Sequence, residues 1–293
     1  MEKLVAEGEI PGIYCGVRFN DTVETASLGV TNINHPLKVN DETFFQIGSI
    51  TKTFVALAVM RLVDAGRIDL ERPIKELLED FVLSDKGAEE KITMKHLLTH
   101  TSGTKGDYFK DSGYGKDALE KLVRNMSSLP QINPPGRILS YCNSGFYVAG
   151  RVVEAVTGKT FEEAIIEQVS EPLGLENIHF FPEDIITERF TFGQLIAEDR
   201  ISIARPWAVG RAIRPAGGIV TNIKELLNYS AFYFSGRASD RNGIISVDSF
   251  TKLITGKIDA SPALKVALGW SLKRSMEWRQ YSTVVAPTVK YHY

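Results

Sequence analysis

The most strongly apolar stretch of the chain, Phe54 to Met60, is cut short by Arg61 and falls far below the ~20 residues a membrane-spanning helix needs. Around it Phe54, Val55, Ala58, Val59, Leu62 and Val63 recur at helical spacing, and Gly66 is placed to end the helix. The segment is a helix of a globular protein, and no membrane partner is expected. With 43% hydrophobic and 24% charged residues the chain has the balance of an ordinary globular protein, which excludes disorder. Thirty-four Lys and Arg against 36 Asp and Glu leave no basic surplus for phosphates, so no nucleic-acid partner is expected either. The two cysteines, Cys15 and Cys142, are too few for a disulfide framework and match no zinc spacing; both are expected as reduced, packed residues. The acidic opening Met1 to Glu7 has no apolar run of a secretory signal, so a cytoplasmic location is expected.

Short β-favouring stretches, Ile13 to Phe19 and Val23 to Leu28, flank the turn-forming pair Asn20-Asp21 and predict a hairpin. After the Thr51 helix comes a long, mostly helical middle. Ser144 to Val156 carries helical apolar spacing closed by Gly158, and Thr160 with Glu163 forms a capping-box signal for the next helix. Asn222 with Glu225 repeats that signal after the Gly217-Gly218 turn, and strand-like spacing returns after Gly269-Trp270. The order strands, helices, strands predicts an α+β arrangement whose two ends meet in one sheet.

Three Ser-x-x-Lys tetrads occur, at Ser49/Lys52, Ser102/Lys105 and Ser249/Lys252. Twenty Ser and 18 Lys supply about one such tetrad by chance, so context must separate a functional pair from exposed residues on an ordinary helix. Ser49 alone stands where a helical pattern begins, between apolar neighbours. Unpaired N–H groups at a helix start favour anionic charge, so the Ser49 N–H could help hold an oxyanion. Lys52, three residues on, shares its helix face, and partial burial would lower its pKa enough for it to take or polarise the Ser49 proton. A second signal is Tyr141-Cys142-Asn143, the only Tyr-x-Asn in the chain, preceded by the turn Asn133-Pro134-Pro135-Gly136 and followed at once by a helix. Such a loop could aim two polar side chains into a cleft.

These motifs, with Ile10-Pro11-Gly12, Asp64 to Asp69, Ile92 to Gly103 and Pro215-Ala216-Gly217-Gly218, arrive in an order that resembles the serine β-lactamase and D-alanyl-D-alanine carboxypeptidase superfamily, in the branch of class C β-lactamases and related esterases. The resemblance covers residues 10 to about 272. It implies a transpeptidase-like fold in one domain over 1–293, with an antiparallel sheet from both chain ends flanked by helices. Residues 1–70 and about 210–293 would form the sheet-containing lobe and about 71–209 the mostly helical lobe. It also implies Ser49 as the acylated nucleophile, Lys52 as its proton-handling partner, Tyr141 as general base and Asn143 as a substrate contact. The substrate would be a small-molecule ester, an amide or D-amino-acid peptide, or a β-lactam, with no cofactor and no metal. A tyrosine normally titrates near ~10, so the base role requires a cation such as Lys52 beside its phenolate.

Competing signals are weaker. His96 and His100 have a spacing that could hold a metal on a helix, but Leu97 stands where a metalloprotease carries Glu. Gly158-Lys159-Thr160 resembles the end of a phosphate loop whose first Gly is replaced by Val153. The family's third motif, Lys or His two residues before Gly, occurs nowhere in the chain. The segment Arg274 to Tyr293 matches nothing expected at that place, which suggests a truncated or frame-altered member lacking the last strands and helix. Such a chain would be catalytically impaired or act as a binding module, and an unpaired sheet edge would invite self-association.

Overall fold

The structure, a computed structural model, describes residues 1–6, 10–19, 21–197, 200–207, 209–234, 243–261 and 264–273. The chain opens with a short helix α1 (Glu2–Ala6) and the hairpin β1 (Gly12–Phe19) and β2 (Thr22–Gly29), paired from Gly12 with Gly29 to Phe19 with Thr22. The short strand β3 (Phe45–Gln46) leads into α2 (Thr51–Asp64). The helical middle holds α3 (Met94–Leu98), α4 (Ala118–Asn125), α5 (Asn143–Thr157), α6 (Phe161–Ile165), α7 (Glu171–Leu173) and α8 (Pro182–Ile185). It also carries a hairpin that the sequence reading did not contain, β4 (Gln194–Ala197) and β5 (Arg200–Ile203). Then follow α9 (Arg214–Gly217), β6 (Val220–Thr221), α10 (Ile223–Phe234), α11 (Val247–Ile254) and the strands β7 (Ile258–Ser261), β8 (Leu264–Val266) and β9 (Ser271–Lys273).

Helix α2 is the axis of the molecule. Every residue from Thr51 to Met60 is buried, as is Leu62. A helix apolar on all sides can satisfy its surface only by being surrounded. Accordingly α5, α6, α9 and α11 all pack on it, and one core runs from Ile47 to Trp270. Helix α10 completes the ring through Tyr229, which stacks on Phe54 at 3.9 Å and donates from its hydroxyl to Thr53 Oγ1 at 3.0 Å.

Local signals place most elements where the sequence predicts them. Helix α5 stops at Gly158, and Thr160 and Glu163 exchange the reciprocal bonds of a capping box ahead of α6. At α10 the Asn222 side chain accepts from Glu225 N–H, but the Glu225 carboxylate takes Asn177 instead of returning the bond.

Among the described residues the strands form four small sheets, with β1 on β2, β3 on β6, β4 on β5, and the order β7-β8-β9. The first hairpin and the turn between the last two described strands nevertheless lie on α10 and α2. The hairpin lies on α10, where Gly16 faces Leu227 and Ile223. The turn between β8 and β9 presses on the first turn of α2: Gly269 has φ +72, and a Cβ there would come within 2.9 Å of the Lys52 carbonyl oxygen. The segment Arg274 to Tyr293 lies outside the described residues, as does Asn20 of the expected hairpin turn.

Candidate active site

Ser49 stands in a 3-10 turn, Gly48–Ile50, that runs directly into α2. The helix geometry then puts Lys52 one turn on and beneath it, with Nζ 3.1 Å from Ser49 Oγ. The two differ sharply in surroundings. Ser49 is exposed although its sequence neighbours are apolar, whereas Lys52 is only 2% exposed. Its ammonium donates to the Ala216 carbonyl oxygen at 2.6 Å and lies over the rings of Tyr141, at 4.9 Å, and Phe146, at 5.5 Å. Burial lowers the Lys52 pKa to about 7, against the opposing pull of Cys142 and Asp107. A lysine so placed is deprotonated in substantial part near neutrality.

Tyr141 comes from the loop before α5, 92 residues from Ser49 in sequence, and its hydroxyl donates to Ser49 Oγ at 2.7 Å. The residue is half exposed, but its hydroxyl end points at Ser49. Burial pushes its pKa up, the hydrogen bond to Ser49 opposes this, and the charge of Asp107 adds to the rise. At rest Tyr141 is therefore a phenol and a donor. The nitrogen that stands beside its ring is Lys52 Nζ, 4.9 Å from the centroid.

Asn143 opens α5, and its side-chain amide donates to the Asp107 carboxylate at 2.9 Å. The structure thus gathers Ser49, Lys52 and Tyr141 around one oxygen and leaves Asn143 at the margin, tied to Asp107. Sequence reasoning missed two participants. The Ala216 carbonyl is a backbone atom, announced only by the Pro-Ala-Gly-Gly run. Asp107 had no signal of its own.

Behind Ala216 lies a buried ion cluster. Glu162 of α6 accepts from Arg211 at 3.0 Å through each carboxylate oxygen, and from Arg214 at 2.7 Å. Arg214 is fully buried, with its guanidinium 3.9 Å from the centroid of the Phe181 ring. It heads α9, so the cluster fixes the segment that carries Ala216. On the other side α9 rests on Gly150 of α5, where a Cβ would fall 2.4 Å from Pro215 Cγ.

The other candidates take ordinary structural places. Ser102 is buried and shares hydrogen bonds with Thr104 and Cys142, and Ser249 is buried against Asp64. Cys142 is the buried N-cap of α5, accepting from Gly145 N–H, while Cys15 is exposed on β1 and so is not packed as expected. His96 Nδ1 accepts from Thr93 N–H at the start of α3, and His100 lies beyond the end of that helix. No group of three or more His, Cys, Asp or Glu that could hold a metal ion occurs among the described residues. No helix among them is long and apolar enough to cross a membrane.

Comparison with known proteins shows the family. Penicillin-binding protein 4 of Amycolatopsis lactamdurans is 28% identical over 92% of this chain and 72% of its own length. Esterase EstB of Burkholderia gladioli is 32% identical over 60% of this chain and 50% of its own. Among solved structures, the octameric penicillin-binding protein homologue from Pyrococcus abyssi superimposes with a TM-score of 0.78 at 27% identity, covering 92% of this chain and 63% of that one. The fold is accordingly the β-lactamase/transpeptidase-like one. The family model described as Beta-lactamase matches residues 1–286, nearly the whole chain, and by that match the chain belongs to the Beta-lactamase family of serine hydrolases.

Proposed function

We propose that this chain is a serine acyl hydrolase that works through an acyl-enzyme on Ser49, with a small ester, amide or lactam as substrate. The observation that carries this reading is the convergence on Ser49 Oγ of Lys52 Nζ at 3.1 Å and Tyr141 Oη at 2.7 Å. Lys52, brought to about 7 by burial, takes the Ser49 proton as Oγ attacks the carbonyl carbon. The Ser49 N–H helps hold the oxyanion. Tyr141 gives its proton to the departing alkoxide or amine, which leaves a phenolate facing the Lys52 ammonium. That phenolate then removes a proton from water for deacylation, and the lysine returns its proton to Ser49 as the acyl group departs. Asn143, held by Asp107, borders the acyl group.

Esters are the favoured substrates, because an alkoxide leaves more readily than an amine. The likeness to an esterase supports this choice. The octameric homologue supports self-association for this chain as well. A second reading, a catalytically impaired binding module, is favoured by one observation: no Lys or His in the chain stands two residues before Gly.

Intact-protein mass after incubation with a fluorophosphonate, and separately with a penicillin, tests the two. The expected outcome is one adduct on the unmodified chain that is lost in Ser49→Ala and slowed at least about 100-fold in Lys52→Ala. A folded sample that takes no adduct from either probe would favour the binding module.

A further inference from the structure

His100 has no part in the proton path just described, yet it is buried against the Tyr141 loop. Helix α3 ends at Leu98, and two residues on the chain turns through His100 with φ +59, a left-handed conformation that a side-chain-bearing residue rarely adopts and that Asn, Asp and His tolerate best. The turn aims three parts of one residue at the Tyr141 loop. The His100 carbonyl accepts from Ser140 N–H at 2.9 Å. Its Nδ1 accepts from Cys142 N–H at 3.0 Å. Its ring lies against Tyr141 with centroids 4.4 Å apart and planes tilted by 31°.

We propose that His100 is a positioning residue that sets Tyr141 against Ser49 by gripping the chain immediately before, at and immediately after that tyrosine. The inference rests on the role given to Tyr141 above.

Each property of the residue type is used. Cys142 is 2% exposed, so its N–H would be a buried donor without a partner if Nδ1 were absent. The aromatic face lies against the Tyr141 ring. The left-handed turn is what lets one residue present its carbonyl and its ring to the same loop. Strain of this kind persists where surrounding structure over-determines it, and it gathers at functional sites. Because Nδ1 accepts, the neutral ring carries its proton on Nε2. Burial and the neighbouring Lys52 charge hold the imidazole far down, near about 3, so this acceptor survives across the neutral range. The same geometry removes the metal reading of His96 and His100, since the Nδ1 atoms of both accept backbone N–H groups.

The test compares the rate of fluorophosphonate labelling of Ser49 in two variants. His100→Phe keeps a ring but loses the acceptor, and it should label about 100-fold more slowly, the loss expected when a reacting group is displaced by ~1 Å. His100→Asn keeps both the left-handed preference and an acceptor at the Nδ1 position, and it should recover to within about tenfold of the unmodified chain. In a Tyr141→Phe background the His100→Phe change should add less than about threefold, because a residue that acts through Tyr141 has nothing left to position. Equal losses in both backgrounds, or an Asn variant as slow as the Phe variant, would overturn the proposal. Should His100→Phe fail to fold, the Asn variant decides alone, a hundredfold loss there counting against the proposal.

A measurement without chemistry stands beside these. Nitrogen-15 NMR of His100 should show a neutral imidazole protonated at Nε2 with no titration between pH 5 and 9, and a titrating ring or an Nδ1-protonated one would sink the idea. If the unmodified chain took no label at all, the hydrolase reading would fail and the tautomer would still decide the role of His100.

Discussion

Lys52 shows what a single buried charge costs and what it makes available. Burial brings its pKa down to about 7, so the charged form is disfavoured in the folded state relative to the unfolded one, where a lysine titrates near ~10.4. The sign follows: the penalty is full below about pH 7, shrinks as pH rises above 7, and is gone once the unfolded lysine has also lost its proton. Replacing Lys52 with Met should raise stability at pH 6 by roughly 2 to 4 kcal/mol while abolishing labelling of Ser49, and the stability gap should close toward pH 10. Urea denaturation at several pH values reads this directly. For the unmodified chain the labelling rate should climb about tenfold per pH unit and level off near 7, because the neutral amine is the reactive form. A rate independent of pH between 5 and 8 would remove Lys52 as proton acceptor.

At the scale of elements, the seating of α9 decides whether Lys52 has its Ala216 carbonyl. Two contacts fix α9: the Glu162 carboxylate on Arg211 and Arg214, and the bare Cα of Gly150 against Pro215. Glu162→Gln would leave two guanidinium groups in the interior without their counter-ion, a change expected to cost about 3 to 5 kcal/mol. Gly150→Ala should cost about 1 to 3 kcal/mol by forcing α5 and α9 apart. Both should also slow Ser49 labelling, since the 2.6 Å bond from Lys52 to Ala216 depends on the same segment. Chemical denaturation and labelling rates check the pair. A variant that loses stability but labels at the original rate would show that α9 does not govern the site.

For the molecule as a whole, the two lobes read from the sequence share one core. Residues of the segment before α2, the helical middle and the turn between β8 and β9, from Ile47 through Phe146 to Trp270, belong to a single buried cluster wrapped on α2. We therefore propose that 1–293 unfolds as one domain. Far- and near-ultraviolet circular dichroism should follow a single coincident transition in urea, and Leu57→Ala, in the fully buried centre of α2, should lower its midpoint through a loss of about 2 to 5 kcal/mol. Two separated transitions would divide the chain into independent lobes.

What the sequence alone determined is what local rules encode. The helices α2, α5, α6 and α10 were legible because apolar spacing and capping signals act within one or two turns, and the Ser49 to Lys52 relation followed because three residues on a helix span a fixed distance. The motif order made the family legible as a resemblance. The hairpin β4–β5 was not legible, being two four-residue strands inside an otherwise helical stretch. Only the tertiary structure decided that Tyr141, 92 residues from Ser49, meets it at 2.7 Å, that Lys52 finds a carbonyl 164 residues away, and that Asn143 turns to Asp107. It also decided that Lys52 is buried while Ser49 is open. Contacts between distant segments are set by how helices pack round the common axis of α2, and that packing sums many weak apolar contacts, none of which leaves a local mark in the chain.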